Sequence, residues 1–116
     1  MRFLMTYTQD PNVVTTPEQM AEIGKFTQEM IQSGVVVMTG GLVRPSKGTK
    51  VRYSQGKFSV TDGPFAETKE LIDGFALIEV GSAHDALQVA ERFMRIAGEG
   101  SGEILQIFDA SGGPPR

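Results

Sequence analysis

The chain has 116 residues, with 11 basic and 14 acidic side chains for a formal charge of −3, one histidine and no cysteine. That length supports one hydrophobic core and one domain, and the acid excess argues against nucleic acid or an anionic membrane as a partner of the whole molecule. Without cysteine there is no disulfide framework, thiol nucleophile or thiolate metal site, and the expected setting is a reducing, cytoplasmic one.

Phe3, Met5 and Tyr7 alternate with Leu4, Thr6 and Thr8, and the pattern stops at Asp10-Pro11-Asn12, which predicts a strand and a turn. Residues 1–8 are followed at once by polar ones, unlike a signal peptide or a membrane span. Thr16, Pro17 and Gln19 have the spacing of an N-cap, a first helical residue and the third-position partner of a capping box. The helix that follows presents Met20, Ile23, Thr27, Met30 and Ile31 as its apolar face and ends at Gly34. Residues 35–38 form an apolar run closed by Gly40-Gly41, the pattern of a strand buried on both faces. Residues 49–54 and 57–61 flank Gln55-Gly56 and read as a β-hairpin.

After the hairpin comes Asp62-Gly63-Pro64-Phe65-Ala66-Glu67-Thr68-Lys69-Glu70, a shaped loop with a glycine and a proline at its turn. Residues 74–80 predict a strand. Ser82 with Asp85 then opens a second helix that turns Ala86, Leu87, Ala90, Phe93, Met94 and Ala97 inward and closes at Gly98. Gly98, Gly100 and Gly102 follow a helix and precede a strand, the reverse of a dinucleotide fingerprint, and read as a flexible connection. Residues 103–108 give the last strand and 109–116 a frayed tail.

The predicted fold is α+β, a ferredoxin-like βαββαβ plan with an inserted β-hairpin. In that plan both helices cover one face of the sheet. The strands here carry apolar residues on both faces, and each large side chain left in water forgoes roughly 1.5–3 kcal/mol. A homodimer packed sheet to sheet is therefore expected.

The run from Val60 through Glu70, followed by Asp73-Gly74-Phe75 and Ile78, resembles the DGPF branch of the YCII-related (YciI-like) family, and the likeness extends over nearly the whole chain. The resemblance implies a dimeric α+β barrel. It also implies two readings of function, an enzyme with a His and an Asp in a cleft, or a regulator acting with an extracytoplasmic-function sigma factor. Gln19 stands where such proteins carry that histidine, and the only histidine, His84, lies near the start of the second helix and reads as a surface residue.

The candidate site is an aromatic-lined cleft with Asp62 as base, Tyr7 or Lys69 as proton donor, and Phe65 and Phe75 as walls. Asp62 equally suits an Asx-turn, and Glu67, Lys69 and Glu70 suit a solvated loop. Arg44, Lys47, Lys50, Arg52 and Lys57 form a basic stretch with no acidic residue among them. Lys50 and Arg52 share a hairpin face fit for an anionic ligand or an acidic partner, or simply for solubility and edge protection. No metal and no cofactor are expected. The leading reading is small-molecule binding with cofactor-independent acid–base chemistry of isomerase or lyase type, and the alternative is the non-enzymatic sigma-factor partner.

Overall fold

The computed structural model describes residues 1–43, 48–62, 72–108 and 113. Strand β1 (Arg2–Gln9) lies inside the main sheet and is bonded on both sides. On one side it pairs antiparallel with β5 (Gly74–Glu79), in a register that sets Phe3 against Ile78, Met5 against Ala76 and Tyr7 against Gly74. On the other side it pairs with two short segments, β6 (Gly100–Ser101) near its end and β7 (Ile104–Ile107) near its start. Strand β2 (Val36–Gly41) completes the sheet against β5. With helices α1 (Pro17–Gln32) and α2 (Ala83–Ala97) this is the ferredoxin-like βαββαβ plan. Between β2 and β5 sits the inserted hairpin, β3 (Thr49–Ser54) and β4 (Lys57–Asp62), as a separate two-stranded sheet.

Local chemistry explains the boundaries. Thr16 accepts from the Gln19 amide N–H at 3.1 Å while the Gln19 side chain accepts from the Thr16 N–H at 2.8 Å, a reciprocal capping box that satisfies two of the helix's open donors. In α2 the Ser82 hydroxyl accepts from the Asp85 N–H at 3.1 Å. The hairpin turn uses Gln55 and Gly56, both at positive φ (50° and 76°), as a tight turn between twisted strands requires.

One sheet face meets both helices. Phe3, Met5, Val36 and Ile78 from the strands, Phe26 and Met30 from α1 and Ala86 from α2 form a single buried cluster. Alternation along the strands sends Leu4, Leu77, Leu105 and Ile107 to the opposite, open face. The register shifts between Val36 and Met38, so Val36 packs inward while Met38 joins the open face.

Three expectations change. Met20, Ile31 and Leu87 are exposed, and Phe26 takes the core position on α1. Strand β2 continues through Gly40-Gly41 instead of stopping before them. The stretch read as a flexible glycine connection contains β6.

Ile78, with 1% of its surface exposed, is the most enclosed large side chain among the described residues. Ile78→Ala is expected to lower the unfolding free energy by about 2–5 kcal/mol in urea titrations, toward the low end because the side chain also borders a cleft.

Candidate functional site

Between the sheet and the helices lies a cleft of about 600 Å³. Its walls come from Met5, Val36, Ala76 and Ile78 on the strands, Met20, Ile23 and Phe26 on α1, and Val89, Phe93 and Ala97 on α2. Polar groups are few: Thr6, Tyr7, Gln9, Thr15, Thr27, Thr39 and Asp73.

Tyr7 is held from several directions. Its ring meets Phe93 edge-on, with centroids 5.3 Å apart and planes at 85°. Its hydroxyl donates to the Gly98 carbonyl at 3.0 Å and lies 3.3 Å from the Glu99 carbonyl. This fit depends on Gly100, where a Cβ would stand 2.7 Å from the Tyr7 hydroxyl oxygen and 2.5 Å from the Thr8 carbonyl. A Cβ at Gly102 would collide with the Thr6 carbonyl. The glycines thus serve close approach of β6 to β1, with flexibility a minor part of their role.

Asp73 precedes β5 and ties together three chain segments. Its N–H donates to the Tyr7 carbonyl at 2.8 Å, its carbonyl accepts from the Leu42 N–H at 2.9 Å, and its carboxylate accepts from the Gln9 N–H at 2.7 Å. The Gln9 side chain donates onward to the Thr15 hydroxyl at 2.9 Å. A carboxylate and a phenol therefore share the cleft through neighbouring backbone. Burial first, then the negative charges of Asp10 and Asp73, hold the Tyr7 phenol above its ordinary value of 10.0.

Of the residues singled out from sequence, Tyr7 lines the cleft from the helix-facing side of the sheet, and Phe75 borders it without presenting its ring there. Phe75 pairs with Thr6, so alternation turns its ring to the open face, where it lies against Gly40; a Cβ on Gly40 would be 3.3 Å from the ring. Asp62 ends β4, is exposed, and accepts from the Thr49 hydroxyl at 3.0 Å across the hairpin. Arg52 is exposed on β3 opposite Ser59. Neither Asp62 nor Arg52 lines the cleft. Phe65 and Lys69 lie outside the described residues. Gln19 is occupied by its capping box and donates at 3.4 Å to the Ile96 carbonyl. Asp73 belongs to the signature, and nothing in its sequence neighbourhood marks it for the site: it comes beside Tyr7 because the β1–β5 register ends at the Tyr7–Gly74 pair and its N–H bonds the Tyr7 carbonyl. Among the described residues no group of three or more His, Cys, Asp or Glu has metal-binding geometry, and no helix is long and apolar enough to cross a membrane.

The class is thus an α+β domain of ferredoxin-like plan with an apolar cleft between helices and sheet. Its sequence matches the YCII-related domain over residues 1–111, and the chain belongs to that family. It is also 35% identical over 71 residues to an uncharacterized protein of Rhizobium meliloti (strain 1021), a match that covers 61% of this chain and 57% of that protein.

The folded chain keeps the Tyr7 proton to higher pH than the unfolded chain does. The stability owed to this group is therefore complete below a pH of about 10 and is lost as pH rises through the raised folded titration. Tyr7→Phe is expected to cost about 0.5–1.5 kcal/mol at neutral pH through the lost hydroxyl-to-carbonyl bonds. It should also flatten the alkaline decline, as read by urea unfolding at neutral and alkaline pH.

Proposed function

We propose that the chain binds a small, largely apolar or aromatic molecule in this cleft, with an uncharged hydrogen-bonding end at Tyr7, Gln9 and Asp73. The observation that carries the reading is the make-up of the cleft: apolar walls such as Met5, Phe26, Ile78 and Phe93 with a few convergent polar groups, the ordinary form of a small-molecule site. An anionic end is disfavoured, since Asp10 and Asp73 both bring negative charge to bear on Tyr7.

The chemistry that suits this pair is cofactor-independent proton transfer of isomerase or lyase type, with Tyr7 as donor and a carboxylate as base. Asp73 is favoured over Asp62 for that part because it lines the cleft, with its carboxylate oriented by the Gln9 N–H, whereas Asp62 lies on the hairpin and does not line it. Methionines make the test direct, as Met5 and Met20 both border the cleft. Neutral aromatic alcohols and ketones are expected to shift the methionine methyl resonances of these two residues more than matched carboxylates do. Ala76→Leu, which fills the cleft, should abolish the shifts. Shifts that persist in Ala76→Leu, or their absence across the whole series, would remove the proposal.

The same reading takes the chain as a homodimer packed through the open sheet face. Support comes from Met38, Leu105 and Ile107, exposed on that face beside the half-buried Leu4, Phe75 and Leu77. Covering them recovers about 25 cal/mol for each Å² of apolar surface. Sedimentation velocity at micromolar concentration is expected to give a dimer, and Leu77→Glu a monomer; a wild-type monomer would end this part of the proposal.

A further inference from the structure

The hydrogen bonds at the polar end of the cleft run in one direction. Tyr7 has a single phenol proton, and both oxygens near it, the Gly98 carbonyl at 3.0 Å and the Glu99 carbonyl at 3.3 Å, can only accept. That proton is spent on backbone, and the phenol has only lone pairs left to offer. Thr39 is in the same position, since its hydroxyl donates to the Phe75 carbonyl at 2.8 Å. Gln9 spends its backbone N–H on the Asp73 carboxylate and a side-chain N–H on the Thr15 hydroxyl. The Asp73 carboxylate is an acceptor alone, with about four acceptor sites, which the Gln9 bond does not exhaust. Protons not committed in this way remain on the Gln9 amide and the Thr15 hydroxyl, where those two side chains meet, and on Thr27 along α1.

Charge runs the same way. No Lys, Arg or His stands among the described residues that line the cleft, and Asp73 does. Gly98 is the C-cap of α2, so the carbonyl that holds the Tyr7 proton lies at the negative end of a 15-residue helix. Burial first, and then the charges of Asp10 and Asp73, keep that proton on the phenol above the ordinary value of 10.0.

We infer that the ligand of this cleft enters its polar end as a hydrogen-bond donor, presenting an uncharged O–H or N–H to the Asp73 carboxylate with the Tyr7 oxygen as a further acceptor. The class it takes is then phenols, aromatic alcohols and N–H heterocycles, in preference to ketones, ethers and esters. The inference rests on the small-molecule reading above and narrows it. A ketone or an ether brings lone pairs to a place already lined with lone pairs, and its oxygen gives up water without a partner in return. A hydroxyl or N–H exchanges water for a charge-assisted bond to a carboxylate, the stronger kind of hydrogen bond. Tyr7 keeps its proton on Gly98 while the ligand binds; donating it, as in the chemistry considered above, requires that bond to open.

Matched bicyclic pairs supply the test: indole against benzofuran, which has the same shape without the N–H, and naphthol against its methyl ether. All four are uncharged at neutral pH. Titrations followed by the Met5 and Met20 methyl resonances are expected to show each donor binding at least about tenfold more tightly than its mate. In Asp73→Asn, which keeps the main-chain ties of this residue and an oxygen for the Gln9 N–H, the ratio should fall below about threefold. The wild-type comparison needs no variant, so the test survives a failure of Asp73→Asn to fold. Mates that bind the wild type within about threefold of each other overturn the inference and leave the small-molecule cleft standing. A tenfold ratio unchanged in folded Asp73→Asn overturns the assignment to Asp73. Absence of binding by all four, or binding kept in Ala76→Leu, removes the cleft reading and this inference with it.

Discussion

Strand β1 is hydrogen-bonded along both edges, to β5 on one side and to β6 and β7 on the other, and most of the molecule follows from that constraint. A strand held on both sides cannot slip by one residue without exchanging its two sets of side chains. Phe3, Met5 and Tyr7 are thereby committed to the helices, and Leu4 and Thr6 to the open face. The first set supplies core at one end and cleft at the other. Phe3 is deeply buried under α1 and α2, whereas Tyr7 stands at the cleft end, where its ring meets Phe93 of α2.

Core and cleft are thus continuous. Phe26 and Met30 are buried against the strands, while Met20, nearer the helix start, is exposed and borders the cleft. At 3.6 residues per turn Met20 stands about 120° round the helix from Phe26 and about 80° from Met30, so the two buried residues mark the face on the sheet and Met20 its margin. Apolar side chains kept on a cleft wall sacrifice part of the roughly 1.5–3 kcal/mol that each would gain from full burial. A cavity left unfilled in this way is a stability cost that a binding function can explain.

Local features of the fold were legible in the sequence because their causes are local. The Thr16–Gln19 capping box, the Gln55-Gly56 turn and the helix end at Gly98 each depend on residues within a few positions of one another. The site was less legible because its contacts span the chain. The Gln9 amide and the Asp73 carboxylate that bind each other are 64 residues apart, and the Tyr7 hydroxyl reaches a carbonyl 91 residues away. No spacing rule in the sequence brings Asp73 to Tyr7. Asp62, by contrast, drew notice through its neighbours in a distinctive run, and its partner proved to be the hairpin residue across from it. Periodicity also misjudged α1, where the stripe through Met20, Thr27 and Ile31 is rotated away from the face, centred on Phe26 and Met30, that meets the sheet.

What distinguishes the cleft end of the sheet is the side chains it lacks. At Gly74 a Cβ would press on the Gly40 carbonyl at 3.3 Å, and at Gly40 on the Phe75 ring at the same distance, so β2 and β5 meet through glycines. At Gly100 and Gly102 the same economy draws the last segment of the chain onto β1. Three strand ends converge there without side chains of their own to fill the space. That leaves the Tyr7 ring a slot against backbone and leaves its hydroxyl two carbonyls to address. A phenol so fixed loses little further freedom when it meets a ligand, and such prior ordering is what a binding group needs if its hydrogen bond is to add to affinity instead of being spent on immobilising the side chain. The glycines thus divide their work: Gly100 and Gly102 let backbone close around Tyr7, and Gly40 and Gly74 let β2 close on β5.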